Sequence, residues 1–155
     1  MKSLRELVER AHVFAGLPDA VLDEVSGCGT LDHFDAGAHL FRTGEPAGTF
    51  YVIRQGRVSI QVPAPGRDPL VVATRDEGDA VGWSWLFEPY RWLFDAVAID
   101  LTRVISFDGE CLRGKAGTDH ELGYHLMSRF ASIVVQDLQG ARLQLLDVYG
   151  QPVSR

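Results

Sequence analysis

Five histidines and two cysteines are the residues best suited to chemistry, and their spacing argues against catalysis. His12, His33, His39, His120 and His125 are scattered, and no nucleophile–base pair or carboxylate pair has the spacing such a mechanism demands. His33, Asp35 and His39 come nearest to a metal set. A β-barrel metal site of that kind uses His-x-His with a Glu and a later His, and the second member is missing, so ordinary strand histidines are expected. Cys28 and Cys111 are too few for a disulfide framework or an iron–sulfur cluster, and neither has a zinc-ligand partner nearby. Reduced thiols in a cytoplasmic protein are the expectation.

The densest chemical signal is aromatic. Trp83, Trp85, Phe87, Tyr90, Trp92 and Phe94 fall within one short segment and include all three tryptophans of the chain. Three readings stay open. The rings fill space and stabilise the fold, at about 1.5 kcal/mol or more each on burial; they line a pocket for a flat or apolar ligand; or they form an exposed patch that grips a protein. Arg91 inside this segment and Arg142 further on are the cations that could hold an anion there. The alternative is that both are solvated or pair with Glu88, Asp95 or Asp137.

These residues need a scaffold, and the chain is long enough to supply one. It has 155 residues, 46% hydrophobic and 23% charged, the balance of one soluble globular domain with a sizeable core. A net charge of −6 disfavours nucleic acid and anionic membranes as direct partners. The N-terminal stretch alternates charged and apolar residues, unlike a signal peptide or a membrane span.

Leu4, Leu7, Val8 and Ala11 share one face of a short helix, and a second helix begins near Asp19 with Ala20, Val21, Leu22 and Val25. From Gly29 to about Phe107, short apolar or alternating runs are separated by Gly44, Gly48, Gly56, Gly66 and Gly78, the pattern of a β-sandwich or barrel with glycines at positive φ in its turns. From about Asp119 to Val148 the chain reads as one helix with two apolar stripes. Leu122, Leu126, Phe130 and Ile133 suit packing on the β-structure. Met127, Ala131, Val134, Leu138, Ala141, Leu145 and Val148 repeat at alternating spacings of four and three, a heptad seam. A small roll can hardly cover a helix about 45 Å long, so pairing with a second copy is expected in preference to one wide core-facing surface. Gly140 within it predicts a close helix approach or a ligand contact.

Two short helices, a glycine-punctuated strand series and a long terminal helix, in that order, resemble the cyclic nucleotide-binding domain of the cAMP receptor protein and fumarate–nitrate regulator superfamily. The resemblance rests on FAGLPDAVLDEV, on HLFRTGEPAGTFYVIRQGRVSI and on EGDAVG, with Gly44, Gly56, Gly78 and Gly82 at the family's turns. It implies a jelly-roll-like β-roll, mainly β with flanking helices, in which a cassette after Gly82 binds the cyclic phosphate through backbone N–H groups and an Arg while a Glu holds the ribose. Here Trp83 stands at the Glu position, Phe94 at the Arg position, and Asp95 at a small neutral position where it would repel phosphate.

The expected organisation is one domain, with helices and roll over residues 1–118 and a dimerisation helix over 119–149. The expected function is a non-catalytic regulatory sensor or interaction module that binds cAMP and cGMP weakly or not at all. Its pocket candidates are Gly82, Trp83, Ser84, Trp85, Leu86, Arg91, Phe94, Asp95, Ala96 and Arg142. No cofactor is called for beyond an unidentified small molecule in the roll. The expected partners are a second copy and an effector protein, with no direct nucleic-acid or membrane contact; after the long helix only Gly150 to Arg155 remain, too few for a helix-turn-helix domain. Two alternatives are an assembly subunit plugged by its own aromatics and, more distantly, a metal enzyme resembling the cupins.

Overall fold

The computed structural model describes residues 2–150, without the side chains of 148–150. Helix α1 (Leu4–Glu9) starts at Ser3, whose side chain accepts a hydrogen bond from the Glu6 N–H, and α2 (Asp19–Ser26) follows a short 3₁₀ turn at His12–Phe14. Both turn their apolar faces inward, with Val8, Ala11, Val21, Leu22 and Val25 buried and Ala20 exposed.

Eight strands then form the roll: β1 (Gly29–Phe34), β2 (His39–Phe41), β3 (Thr49–Gln55), β4 (Val58–Val62), β5 (Leu70–Arg75), β6 (Ala80–Val81), β7 (Asp95–Ala98) and β8 (Thr102–Asp108). They make two four-stranded antiparallel sheets, ordered β1-β8-β3-β6 and β2-β7-β4-β5. The core between and around the sheets includes Phe50, Ile53, Val104, Ile105 and Phe107. The turn glycines 44, 56, 66 and 78 adopt positive φ as expected, whereas Gly48 does not. At Gly56 the constraint is double, since φ is +107° and a Cβ would sit 2.7 Å from the Thr102 hydroxyl.

Two helices close the chain. Helix α3 (Gly109–Thr118) is a separate element that the sequence pattern did not announce, and α4 (His120–Gly150) is the long helix. Asp119 divides them: its carboxylate accepts from the backbone N–H groups of Glu121 and Leu122 and so caps α4. Leu122, Leu126 and Phe130 are fully buried against the roll, with Ile133 half-buried beyond them. The other stripe faces outward. Met127, Leu138 and Leu145 are exposed, as are Ala131 and Ala141, with Val134 half-buried; the Val148 side chain lies outside the described residues. Among the described residues no helix is long and apolar enough to cross a membrane.

The expectation of separate reduced thiols is overturned, because Cys28 and Cys111 form a disulfide. Strand register is the reason. The antiparallel β1/β8 ladder pairs Gly29 with Phe107, and the Asp108 N–H donates to the Cys28 carbonyl at 2.9 Å. Asp108 then caps α3 by accepting from the Cys111 N–H, so the first turn of α3 sets Cys111 beside Cys28.

A cassette filled by its own side chains

The segment between β6 and β7 begins at Gly82, with φ at +92°; a Cβ there would approach the Trp92 ring to 2.5 Å. A single 3₁₀ turn, Ser84–Leu86, follows with all three residues buried. The chain then passes through the cis Glu88–Pro89 bond and Tyr90, which sits at φ +56° beneath the Arg113 guanidinium, 4.3 Å from its ring centre.

The aromatic residues lock this segment to three parts of the fold. Trp92 is 4% exposed and stacks on Phe41 of β2, with ring centres 3.7 Å apart and planes 8° from parallel. Trp85 is fully buried, stacked on Phe50 of β3 and edge-on to Phe130 of α4. Its indole N–H has no acceptor among the described residues, a cost the packing must offset. Trp83 instead donates its Nε1–H to Asp137 of α4 at 2.9 Å, and the same carboxylate accepts from Arg75 of β5.

Little space remains within the cassette, although an open groove of about 550 Å³ runs beside it between β5, β6 and α4. The cavity bounded by Gly82, Trp83, Ser84, Trp92 and Phe94, and closed by Arg75 and Asp137, measures about 20 Å³, room for roughly one water. A further space of about 190 Å³ lies between β4, β5 and α4, lined by Ile60, Val72, Phe94, Ala141 and Gln144 among others. That is below the roughly 300 Å³ at which small-molecule pockets begin.

Gly82, Trp83, Ser84 and Phe94 therefore meet at one cavity, whereas Trp85, Leu86, Asp95 and Ala96 are buried without lining it. The Asp95 carboxylate accepts from the Thr43 N–H at 2.7 Å and the Thr43 hydroxyl at 2.9 Å, with His39 Nε2 at 3.6 Å. Arg91 is exposed and donates to the Gly44 carbonyl, and Arg142 is exposed on α4 with no polar partner among the described residues. Neither takes Asp137, which Arg75 and Trp83 occupy. Gly140 has no close neighbour beyond its own helix and lines an open groove with Gln136 and Asp137. Sequence reasoning missed Arg75, and it weighed Asp137 only as a partner for Arg91 or Arg142; the two lie 62 residues apart and are joined only by the fold. Among the described residues no group of three or more His, Cys, Asp or Glu could hold a metal ion.

The roll, the segment after Gly82 and the helix laid across it define the class of jelly-roll-like β-rolls with a long C-terminal helix. The sequence profile of the cyclic nucleotide-binding domain matches residues 31–119, and the chain belongs to that family. It is 28% identical over 123 residues to a CRP-like cAMP-activated global transcriptional regulator of Mycobacterium tuberculosis, which covers 79% of this chain and 54% of the regulator. It is 25% identical over 79 residues to human cGMP-dependent protein kinase 2, covering 50% of this chain and 10% of the kinase. The chain thus spans at most about half the length of these relatives. Among solved structures, a Geobacter metallireducens protein described as cyclic nucleotide-binding is similar with a TM-score of 0.78 at 25% identity, over 89% of this chain and 99% of that one. The sensor domain of the transcriptional regulator DNR from Pseudomonas aeruginosa has the same fold, with a TM-score of 0.70 at 22% identity over 87% of this chain and 91% of that one.

Proposed function

We propose that this chain is a non-catalytic regulatory module whose cassette is filled by its own aromatic side chains, so that it does not take cAMP or cGMP. The observation that carries this reading is the Phe41–Trp92 stack beside Gly82, roofed by Asp137, which leaves about 20 Å³ around the cassette. A cyclic phosphate would have to displace a buried indole. It would also lack the arginine partner whose place Phe94 takes. A charge-assisted hydrogen bond contributes about 1.5–3 kcal/mol, and at about 1.4 kcal/mol per tenfold its loss alone weakens binding by one to two orders of magnitude.

The module acts as a homodimer through α4. Tyr124, at 69% exposure, extends the Met127–Leu145 stripe by one position at the same spacing, and Leu138 is 67% exposed. An apolar seam over several turns is costly in water and suits a parallel copy of itself. Regulation is then carried by what the dimer contacts, an effector protein being the partner class that fits.

Isothermal calorimetry of the full chain with cAMP and cGMP tests the reading. Dissociation constants above about 0.1 mM are expected, equivalent to less than about 5.5 kcal/mol of binding free energy. Micromolar, saturable binding of either nucleotide would overturn it.

A further inference from the structure

The largest concentration of unpaired positive charge lies away from the cassette. An open cleft of about 550 Å³ runs between α1, strands β3 and β8, and the Glu77–Gly78 turn. Arg10 from the end of α1, Arg54 from β3 and Arg103 from β8 line it, over a floor that includes Val52 and Ile105, both buried. Glu77 is the one carboxylate in the lining.

These three arginines differ from most others in the chain. Arg5 is paired with Glu9, Asp19 and Asp23, Arg57 with Asp76, and Arg75 with Asp137. Arg10, Arg54 and Arg103 make no ion pair or side-chain hydrogen bond among the described residues. In the strand register Arg103 lies opposite Gln55, while Arg54 falls at the irregularity between Ile53 and Gln55, so the two arginines come from adjoining positions on neighbouring strands. Three unpaired guanidinium groups thus line one concavity in a chain whose net charge is −6. Guanidinium forks that converge on a cleft match the oxygens of a phosphate, which would neutralise them.

We propose that this cleft is a second binding site, separate from the cassette, for a small phosphate-bearing anion held by Arg10, Arg54 and Arg103. Its size lies within the range of small-molecule pockets. The site does not depend on the state of the cassette.

Calorimetry of the full chain with sodium pyrophosphate at low ionic strength tests it. One saturable event is expected, weakened at least about tenfold in Arg54→Gln/Arg103→Gln, a loss of about 1.4 kcal/mol. Arg67→Gln, in the exposed β4–β5 turn and absent from the cleft lining, removes a positive charge elsewhere and is expected to leave the affinity within about twofold. Absence of saturable binding to the wild type overturns the proposal, as does a double variant that binds within about threefold of it. The wild type alone provides a second measurement: raising the salt from about 50 to about 250 mM must weaken binding severalfold, and insensitivity to salt overturns the proposal. Binding of a polyglutamate peptide without any binding of pyrophosphate also overturns it, in favour of an acidic protein segment.

Discussion

A single carboxylate can fix where two elements meet, and this molecule has two such cases. Asp137 accepts from Trp83 and from Arg75, so it joins the cassette, β5 and α4 at one point. Asp137→Ala would strand a largely buried guanidinium and an indole N–H together, and a loss of about 1–3 kcal/mol in urea unfolding is expected. Asp137→Asn keeps the acceptor for Trp83 and should lose less; equal losses would mean that the indole contact contributes nothing. The second case lies at the α2/α4 joint. The Glu24 carboxyl is held above its usual 4.5 chiefly by its hydrogen bond to Asp119 and then by burial, opposed by Lys115; Asp119 is held below 3.8 chiefly by that bond and by the Leu122 N–H, with His120 acting in the same direction. Glu121 adds to the repulsion on Glu24. The signs are opposite. Glu24 stabilises the fold fully below 4.5 and loses that contribution as pH rises through its raised value, whereas the contribution of Asp119 is present above 3.8 and is lost as pH falls through its lowered value. Glu24→Gln keeps a donor without the titration. It should be more stable than the wild type at neutral pH and nearly equal to it around pH 4, and a neutral-pH melting point below that of the wild type would count against the shared proton.

At the scale of elements, α4 is two helices in one. Its first half buries Leu122, Leu126 and Phe130 on the roll, and its second half carries exposed Leu138, Leu143, Leu145 and Leu146. Leu138→Glu/Leu145→Glu should convert a dimer to a monomer in sedimentation velocity, with little change in the roll's own melting, because neither side chain touches the core. A wild type that sediments as a monomer at tens of micromolar would refute the seam. Both stripes were legible because helical spacing is a local property. The strands were legible for the same reason, since glycines that need positive φ punctuate them. Helix α3 was not, because Gly109, Gly114 and Gly117 dilute its pattern and its formation rests on the Asp108 cap and on packing. The disulfide and the Arg75–Asp137 pair were invisible for a further reason. Each joins residues brought together by sheet register or helix docking, 83 and 62 positions apart, and no local spacing encodes such a contact. The aromatic segment lay between these extremes: its density was plain in the sequence, but which rings would be buried depended on Phe41, Phe50 and Phe130 arriving from other elements.

Across the whole molecule, those rings join the roll to the helix that crosses it. Trp85 sits between Phe50 and Phe130, and Trp83 reaches Asp137, so the chain itself bridges roll and helix at the cassette, beside the open groove between β5, β6 and α4. On the proposed reading, helix docking needs no ligand. Trp92 is the ring whose removal tests this most directly, because it stacks on Phe41 beside Gly82 without touching α4's aromatic contacts. Trp92→Ala should lower stability by about 3–5 kcal/mol, the transfer term plus the cavity left behind. That cavity would have the shape of the lost indole and an apolar lining, and such engineered cavities bind small aromatics. Free indole should therefore raise the melting temperature of Trp92→Ala in proportion to the logarithm of its concentration once well above its dissociation constant. The shift should be larger in Trp92→Ala than in the wild type, whose 20 Å³ remnant beside the stack cannot admit a ring; the neighbouring 190 Å³ space between β4, β5 and α4 is common to both proteins. If indole stabilised the wild type as much as Trp92→Ala, the indole of Trp92 would not be what fills the cassette and the filled cassette would be disproved. If it stabilised neither protein, the roll would have collapsed into the space Trp92 left, and the rings would be packing filler with no pocket beneath them.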